Sequence, residues 1–478
     1  MLVNVGDYTY RVQKWPEETV EIMQLPEHDQ AVAMDTETEP TIPGKDPVPA
    51  LLQVCNHELR LIHLIPAEYM VTYIQRLYQM NPGMLVVMHN CPFDLRVLGI
   101  RGELEQFWTQ MIWNNRVVDT ALRYLLRQLA IGRVLGKWSL DHCAKDLMNI
   151  EVDKDEDIRL TFRPGMLLTP KHAKYAAIDA AVTAQLLRYL QQPYPTEFLQ
   201  IVGAIALDDI SRKGMLVDLD YMEQVKAKFD NKITAHKALM SIFGYYPGED
   251  GNKKVQQRIL QHVEGELQFL EGNPNLKFNR TPKSGEIQTN DDSLTVLGIH
   301  NHPFIETYKN YVHDNKISGT YLNRQLVHAD SRVHPRFDPI KLTGRTSCKR
   351  PNIQNVPRKE NIREMYLAPQ GYLLYAADYS QLELCALAQS CLHWQGQSRM
   401  ADLINAGVDL HRWFAARVLG KREEDITKSE RQMAKACNFG FPGGLGLPTF
   451  QYLAKNNYDV YLDLDRCRTQ GALERCLP

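Results

Sequence analysis

The chain has 478 residues, with 55 Lys and Arg side chains against 57 Asp and Glu, so its formal net charge is −2. This length predicts about two to four domains, and the near-neutral charge means that any basic binding surface must be local. The hydrophobic fraction of 44% and the charged fraction of 23% exclude a disordered, collagen-like or membrane-dominated chain.

The sequence also shows no membrane-spanning segment, no signal peptide and no cysteine pattern typical of disulfides or zinc sites. No apolar run reaches the ~18 residues of a membrane-spanning helix, and the N-terminus lacks the layout of a signal peptide. The nine cysteines are scattered, without a CxxC pair. This pattern favours a reducing cytoplasm over a disulfide framework or structural zinc.

The first 192 residues alternate between predicted strands and helices. The predicted strands are apolar runs at residues 31–34, 51–56, 59–65 and 84–90, and the second and third are close enough to form a hairpin. A helix is expected after the last strand, and a long alanine-rich helix is expected over 171–190. This alternation is typical of an α/β domain, and residues 191–197 are the expected linker.

The rest of the chain has mostly helical periodicity. Helices are predicted from residue 198 to about residue 270, and the polar, turn-rich segment 278–293 predicts a long loop. Residues 372–380 form an apolar run that ends in an acid, which predicts a strand. Helices are expected after it.

Carboxylates stand at the ends of predicted elements in the α/β region. Asp35 and Glu37 are two residues apart, so on a strand both point to one face, where a divalent cation would relieve their repulsion. Asp94 follows a strand, and Tyr175 and Asp179 share a helical face. Each feature alone has an ordinary explanation, as a solvated strand end, a helix cap or a common side-chain pair. Their combination in one α/β unit favours a metal site.

These segments resemble the three motifs of the proofreading 3′–5′ exonuclease domain of the DEDD superfamily, in its Tyr variant. The matching segments are DTE at 35–37, HNCPFD at 89–94 and YAAID at 175–179. The resemblance implies a ribonuclease-H-like sheet with two Mg²⁺ or Mn²⁺ ions, whose ligands would be Asp35, Glu37, Asp94 and Asp179. It also implies that Tyr175 orients the attacking water in two-metal hydrolysis. We expect Asn90 near the terminal nucleotide, and Asp119 as a helix cap or a residue that supports the ligands.

Residues 341–363 hold seven Lys and Arg against one acid, and they are rich in Thr, Ser, Asn and Gln. This mixture suits a chain that follows phosphates and the minor groove, although a charged run is more often a solvated surface. The pattern TGR-x-S-x-x-x-PN-x-QN-x-P within it resembles the thumb–palm junction of family A DNA polymerases, the DNA polymerase I family. By this resemblance, Arg345, Asn352 and Gln354 contact the DNA primer–template near the new base pair.

The segment LLYAADYSQLELCALA at 373–388 resembles polymerase motif A. The resemblance implies that Asp378 binds the catalytic Mg²⁺ and that the backbone carbonyl of Tyr379 is a further ligand. It places Glu383 where the family excludes the ribose 2′-hydroxyl. The alternatives are a strand-end cap for Asp378 and a surface helix residue for Glu383.

The segment RQMAKACNFGFPGG at 431–444 resembles polymerase motif B. Arg431, Lys435 and Phe439 share one helix face, as a site for a deoxynucleoside triphosphate requires. The resemblance adds His411 as a further phosphate contact. An exposed basic face is the alternative for the two cations. Gly443 departs from the family, which usually has Tyr at this position.

The resemblance covers nearly the whole chain and implies a right-hand polymerase architecture. The expected domains are an α/β ribonuclease-H-like exonuclease domain at 1–192, a helical thumb with connecting helices at 193–335, a partial α+β palm with motif A at 336–390 and incomplete helical fingers with motif B at 391–478.

The family's second palm carboxylate, in motif C, has no counterpart after Gly444. Asp314, in a VHDN run, precedes motif A and is rejected as catalytic. The sequence is therefore interpreted as the N-terminal portion of a phage-like DNA polymerase with a proofreading exonuclease, in the cytoplasm of a bacterial or phage-infected cell. This truncated chain alone is not expected to extend a primer, and a second polypeptide would carry the rest of the palm. The alternatives are a 3′–5′ exonuclease whose polymerase half only binds primer–template, or one half of a split polymerase.

Overall fold

The computed structural model describes residues 1–440 except for 134–135, 153–155, 250–251, 271, 273, 276, 291–292, 295–301 and 359. Its contacts divide the chain into two compact units, Met1–Leu373 and Leu374–Pro478. Within the described residues, no helix combines the length and the apolarity needed to cross a bilayer. The four domain boundaries expected from the sequence stay predictions.

A seven-stranded mixed sheet forms the centre of the first unit. Its strands are β1 (Leu2–Val5), β2 (Tyr8–Lys14), β3 (Ala31–Thr38), β4 (Pro49–Asn56), β5 (Leu61–Pro66), β6 (Leu85–Met88) and β7 (Val117–Asp119). Their order across the sheet is β1-β2-β5-β4-β3-β6-β7. The expected hairpin is confirmed, because β4 and β5 pair antiparallel. On its other edge β3 pairs parallel with β6, so β3 is a central strand.

Helices cover both faces of this sheet, as an α/β domain requires. They are α1 (Met70–Met80), α2 (Cys91–Val97), α3 (Glu105–Trp113), α4 (Thr120–Ala130), α5 (Leu140–Met148), α6 (Glu156–Arg159) and α7 (Pro170–Tyr189). One core joins the sheet to α1, α2 and α3, and a second joins the opposite face to α5 and α7. The predicted long helix is confirmed as α7.

Helix α7 is fixed by its first turn and by its small side chains. Pro170 lies at its start, and Thr169 and His172 form a reciprocal capping box. Its alanines, including Ala176 and Ala180, are fully buried. Small side chains let the helix axis approach the sheet closely, which brings the polar residues of the same face near the strands.

The remainder of the first unit is helical with short strands between the helices. The helices are α8 (Glu197–Lys213), α9 (Leu219–Ser241), α10 (Asn252–Leu270) and α11 (Pro303–Thr320), and the strands are β8 (Met215–Val217), β9 (Arg332–Val333), β10 (Arg336–Asp338), β11 (Ser347–Lys349) and β12 (Tyr366–Leu367). The helices were expected. The short strands were not, because two or three residues are too few to show a period of two.

The second unit contains α12 (Leu382–Gln395), α13 (Arg399–Asn405), α14 (Leu410–Leu419) and α15 (Lys428–Gly440). Its small core is formed mainly by α14 and α15, with Phe414 and Met433 among the buried residues. The strand expected over 372–380 is wrong, because this segment has no regular secondary structure. Its apolar side chains are exposed, with Leu373 at 94% and Tyr375 at 92%. An apolar run becomes a strand only beside another strand, and no strand among the described residues pairs with it.

Candidate active sites

The end of β3 directs its two acids to one face of the sheet. Val32 and Met34 lie in the core under α1 to α3, whereas Ala33 lies in the core under α7. Since side chains alternate along a strand, Asp35 and Glu37 follow Ala33 to the α7 face. The β3–β4 register shifts between Glu37 and Thr38, so the ladder is irregular where the acids stand.

The pKa of Tyr175 on α7 reflects the acids that surround it. Burial of its ring raises the pKa of the phenol above its ordinary value, and the negative charges of Asp179, Glu37 and Asp35 raise it further. Arg159 acts in the opposite direction. The structure therefore brings together Tyr175 and three of the four predicted ligands. It also keeps the phenol protonated at neutral pH.

Asp94, the fourth predicted ligand, lies on α2 and contacts β3 through Thr36, apart from the acids around Tyr175. Its side chain is buried, with 3% exposure. The Thr36 hydroxyl donates a hydrogen bond of 2.6 Å to Asp94 Oδ1. Burial raises the pKa of Asp94 to about 7, the hydrogen bond from Thr36 acts to lower it, and the charge of Asp119 acts to raise it. No pattern in the sequence pointed to Thr36, although its place between Asp35 and Glu37 puts it on the opposite face of β3.

Asp119 confirms the expected helix cap and serves two helices at once. Its carboxylate accepts hydrogen bonds from the backbone N–H groups of Ala121 and Leu122 at the start of α4. It also accepts from the N–H groups of Asn90 and Cys91 at the start of α2, at 3.0 and 2.8 Å. Asn90 itself has a φ of 68° and supplies no side-chain cap. One buried carboxylate therefore fixes the helix that carries Asp94.

The chemistry of this donor set fits a hard divalent cation. Asp35, Glu37, Asp94 and Asp179 offer carboxylate oxygens, which are the ligands that Mg²⁺ and Mn²⁺ prefer. A bound cation would offset the negative charge of the three acids around Tyr175. Within the described residues, no three His, Cys, Asp or Glu side chains stand together at metal-binding geometry.

A cleft of about 590 Å³ opens beside Asn90. Its walls come from the loop after β3, the first turn of α2, α8 and the strand β10. The lining includes the aromatic rings of Phe93 and Trp138 and the cations of Lys45 and Arg336. A basic cleft with aromatic rings suits single-stranded nucleic acid.

The basic segment 341–363 folds around the β10–β11 hairpin. Asp338 accepts from Lys341 at 2.7 Å and lies 3.5 Å from the Lys349 ammonium. The side chain of Arg345 is exposed, and Gln354 Nε2 donates to the Thr346 hydroxyl at 2.8 Å. Asn352 is only partly exposed, and its Oδ1 has no hydrogen-bond partner among the described residues. Arg345 and Gln354 are thus on the surface, whereas Asn352 is less accessible.

The motif A residues lie in and just after the irregular segment that begins the second unit. Asp378, Tyr379 and Glu383 are all exposed, and Tyr379 is 81% exposed. Glu383 lies in the first turn of α12. Asp314, which the sequence rejected, is buried and lies 3.2 Å from His236 Nε2, as expected of a structural residue.

The structure brings two predicted motif B residues, Arg431 and Lys435, near His411 at the contact between α14 and α15. Asp409 caps α14 and binds Arg431 of α15, with 2.7 Å between Oδ2 and Nε. Asn438 Nδ2 donates to Nδ1 of the buried His411 at 2.9 Å. Burial lowers the pKa of His411, and the cations Arg431 and Lys435 lower it further. The side chain of Phe439 and the whole of Gly443 lie outside the described residues. Asp409 had no signal in the sequence beyond its place before a helix.

Two family models match the chain. The model for 3′–5′ exonucleases matches residues 10–194, and the model for DNA polymerase family A matches residues 220–451. By these matches the chain carries a 3′–5′ exonuclease domain and, over residues 220–451, a DNA polymerase family A domain. Both resemblances seen in the sequence are thereby confirmed.

Curated relatives that resemble this chain are bacterial proteins named DNA polymerase I. The protein from Aquifex aeolicus is 27% identical over 80% of this chain and 64% of its own length. That from Pseudomonas aeruginosa is 28% identical over 82% of this chain and 43% of its own length. The chain thus spans less than two thirds of these relatives. The phage-like and truncation expectations are not borne out by these comparisons.

One solved structure supports the architecture. The POL domain of Pol1 from M. smegmatis, in complex with DNA primer–template and dNTP, superposes with a TM-score of 0.62 at 20% sequence identity. The match covers 93% of this chain and 72% of that one. The fold is therefore that of a family A polymerase with an exonuclease domain. No comparison supports a second polypeptide.

Proposed function

We propose that the N-terminal domain is a metal-dependent 3′–5′ DNA exonuclease that proofreads for the polymerase to which it is joined. The observation that carries this proposal is the position of Tyr175 among Asp35, Glu37 and Asp179, within the residues that match the exonuclease family. Asp94 lies on the other face of β3, where Thr36 donates to it, and it is included as the fourth ligand because the exonuclease family match covers it.

In this proposal each residue has a separate task. The four carboxylates would hold two divalent ions, which when bound make water nucleophilic near neutral pH and stabilise charge on the leaving 3′ oxygen. Tyr175 orients the attacking water as a hydrogen-bonding phenol, because burial and its acidic neighbours keep it protonated. Thr36 holds Asp94 in place. The basic cleft beside Asn90 is proposed to hold the single strand.

The exonuclease proposal is tested with 5′-labelled single-stranded DNA. In Mg²⁺ or Mn²⁺ the chain is expected to produce a ladder of products shortened from the 3′ end, and EDTA is expected to stop it. Asp35→Ala combined with Glu37→Ala should lower the rate by about 1,000-fold or more, because ligands of both ions are lost. Full activity in that double variant would overturn the assignment.

We propose further that the chain serves template-directed DNA synthesis with Mg²⁺, in the cytoplasm. Asp378 and the Tyr379 carbonyl bind the metal, Glu383 excludes ribonucleotides, and Arg345, Asn352 and Gln354 contact the primer–template. His411, Arg431, Lys435 and Phe439 bind the incoming deoxynucleoside triphosphate. The family match over 220–451 supports this proposal, as does the convergence of two cations on His411.

The nucleotide assignment is tested by binding. Lys435→Ala should weaken binding of a deoxynucleoside triphosphate about tenfold, because a charge-assisted contact to phosphate is lost. Lys421→Ala is the matched control, since Lys421 is a nearby cation that pairs with Glu430. Equal losses in the two variants would show that the effect is general electrostatics and that Lys435 has no specific role.

A further inference from the structure

Gln53 lies directly across the ladder from Asp35. The antiparallel register of β3 and β4 pairs these two residues, and paired residues point to the same face with Cβ atoms roughly 4.5–5.5 Å apart. Leu51 and Cys55, two residues before and after Gln53, both lie in the core under α7. The carboxamide of Gln53 therefore lies on the side of the sheet that holds the acids around Tyr175.

The amide of Gln53 is buried without a partner. The residue is 0% exposed, and neither Nε2 nor Oε1 has a hydrogen-bond partner among the described residues. Burial of an unpaired amide opposes folding, and an apolar side chain of the same size would be more stable there. Buried polar groups without a hydrogen-bond partner are rare in folded proteins. The partner of Gln53 is therefore sought in the bound state of the site.

We propose that Gln53 is a positioning residue of the exonuclease site, whose Nε2 donates to the Asp35 carboxylate when that carboxylate binds its cation. This inference rests on the proposed exonuclease function. A hydrogen bond to a charged acceptor is among the strong ones. Groups that hydrogen-bond to metal-binding carboxylates fix their orientation and raise the affinity for the metal. The register of β3 and β4 already holds Gln53 opposite Asp35, so the hydrogen bond requires a rotation of the side chain and no rearrangement of β4.

The test measures Mn²⁺ binding to the full chain by electron paramagnetic resonance of the free ion. Every sample carries Asp378→Asn, which removes the proposed ligand of the polymerase site. Gln53→Met deletes the amide at nearly constant volume. We expect Mn²⁺ affinity to fall about tenfold or more, while the melting temperature of the metal-free protein stays equal or rises. A purely structural residue would change the melting temperature and leave the affinity unchanged.

Tyr366→Phe is the matched control. The hydroxyl of Tyr366 is also buried without a hydrogen-bond partner among the described residues. Tyr366 lies in a different core, which contains no residue of the seven-stranded sheet. Removal of the hydroxyl is expected to leave Mn²⁺ affinity unchanged. If Gln53→Met lowers the melting temperature of the metal-free protein, Mn²⁺ affinity is measured on Gln53→Leu in its place. The same loss of affinity, about tenfold or more, is expected.

The outcomes separate the two proposals. If the Asp35→Ala, Glu37→Ala double variant binds as much Mn²⁺ as its parent, the proposed function fails. If the double variant loses Mn²⁺ but Gln53→Met and Gln53→Leu bind as tightly as the parent, the exonuclease site stands and the role of Gln53 is refuted.

Discussion

Thr36 lies between Asp35 and Glu37 on β3 and contacts a third acid, Asp94. Its hydroxyl donates to the buried Asp94 at 2.6 Å. Thr36→Val should cost about 1–3 kcal/mol of stability, because the buried Asp94 loses its hydrogen-bond donor, and it should slow the exonuclease. Thr36→Ser keeps the hydroxyl and is the matched control. Thermal unfolding and digestion of single-stranded DNA check both effects, and equal rates for the Val and Ser variants would contradict this role.

His63 makes the stability of the sheet depend on pH. Burial, and then the charge of Arg11, lowers the pKa of His63 from 6.5 to about 4, and its Nδ1 lies 2.8 Å from the Tyr73 hydroxyl. Between these values His63 binds more protons in the unfolded chain than in the folded one, so its contribution to stability falls as pH falls from about 6.5 to 4. The raised pKa of Asp94 acts in the opposite direction. His63→Gln should flatten this dependence in urea unfolding measured across that range. An unchanged slope would show that His63 does not contribute to it.

At the scale of secondary structure, Asp119 joins the starts of α2 and α4. Its carboxylate accepts two backbone hydrogen bonds from the start of each helix. Since a lost N-cap costs about 0.5–2 kcal/mol, Asp119→Ala should cost about twice as much as Asp218→Ala, which removes the single cap of α9. Urea unfolding monitors both variants. Exonuclease activity should fall only in the Asp119 variant, because α2 carries Asp94, and an unaffected rate would contradict this link.

The parts of the fold that the sequence predicted are those with local signals. The apolar run before Asp35 and the alanine-rich α7 carry clear periodicity, and their acids were found at the correct elements. The strand at 372–380 failed because a strand depends on a neighbour that local pattern does not supply. Thr36 and Gln53 could not be selected from sequence, because their importance depends on the register of β3 and on what each face touches.

At the scale of the whole molecule, the boundary between the two compact units falls within an apolar segment of the chain whose side chains are exposed. Tyr372, Leu374 and Tyr375 are 73%, 62% and 92% exposed. Chymotrypsin should cut here first, because exposed segments without secondary structure fit the protease best. The larger fragment should keep its exonuclease activity, since the predicted acids and their cores lie before Leu373. Mass spectrometry and a digestion assay check this expectation, and first cleavage inside β3–α7 would contradict it.

The central claim is that the exonuclease site lies in the first unit and works independently of the polymerase residues. The most direct test compares digestion of single-stranded DNA by Asp378→Asn and by Asp35→Ala combined with Glu37→Ala. Asp378 belongs to the second unit and the four acids to the first, so Asp378→Asn should stay within about twofold of the parent rate. The double variant should lose at least about 1,000-fold. Loss of digestion in Asp378→Asn, or its survival in the double variant, would contradict the account.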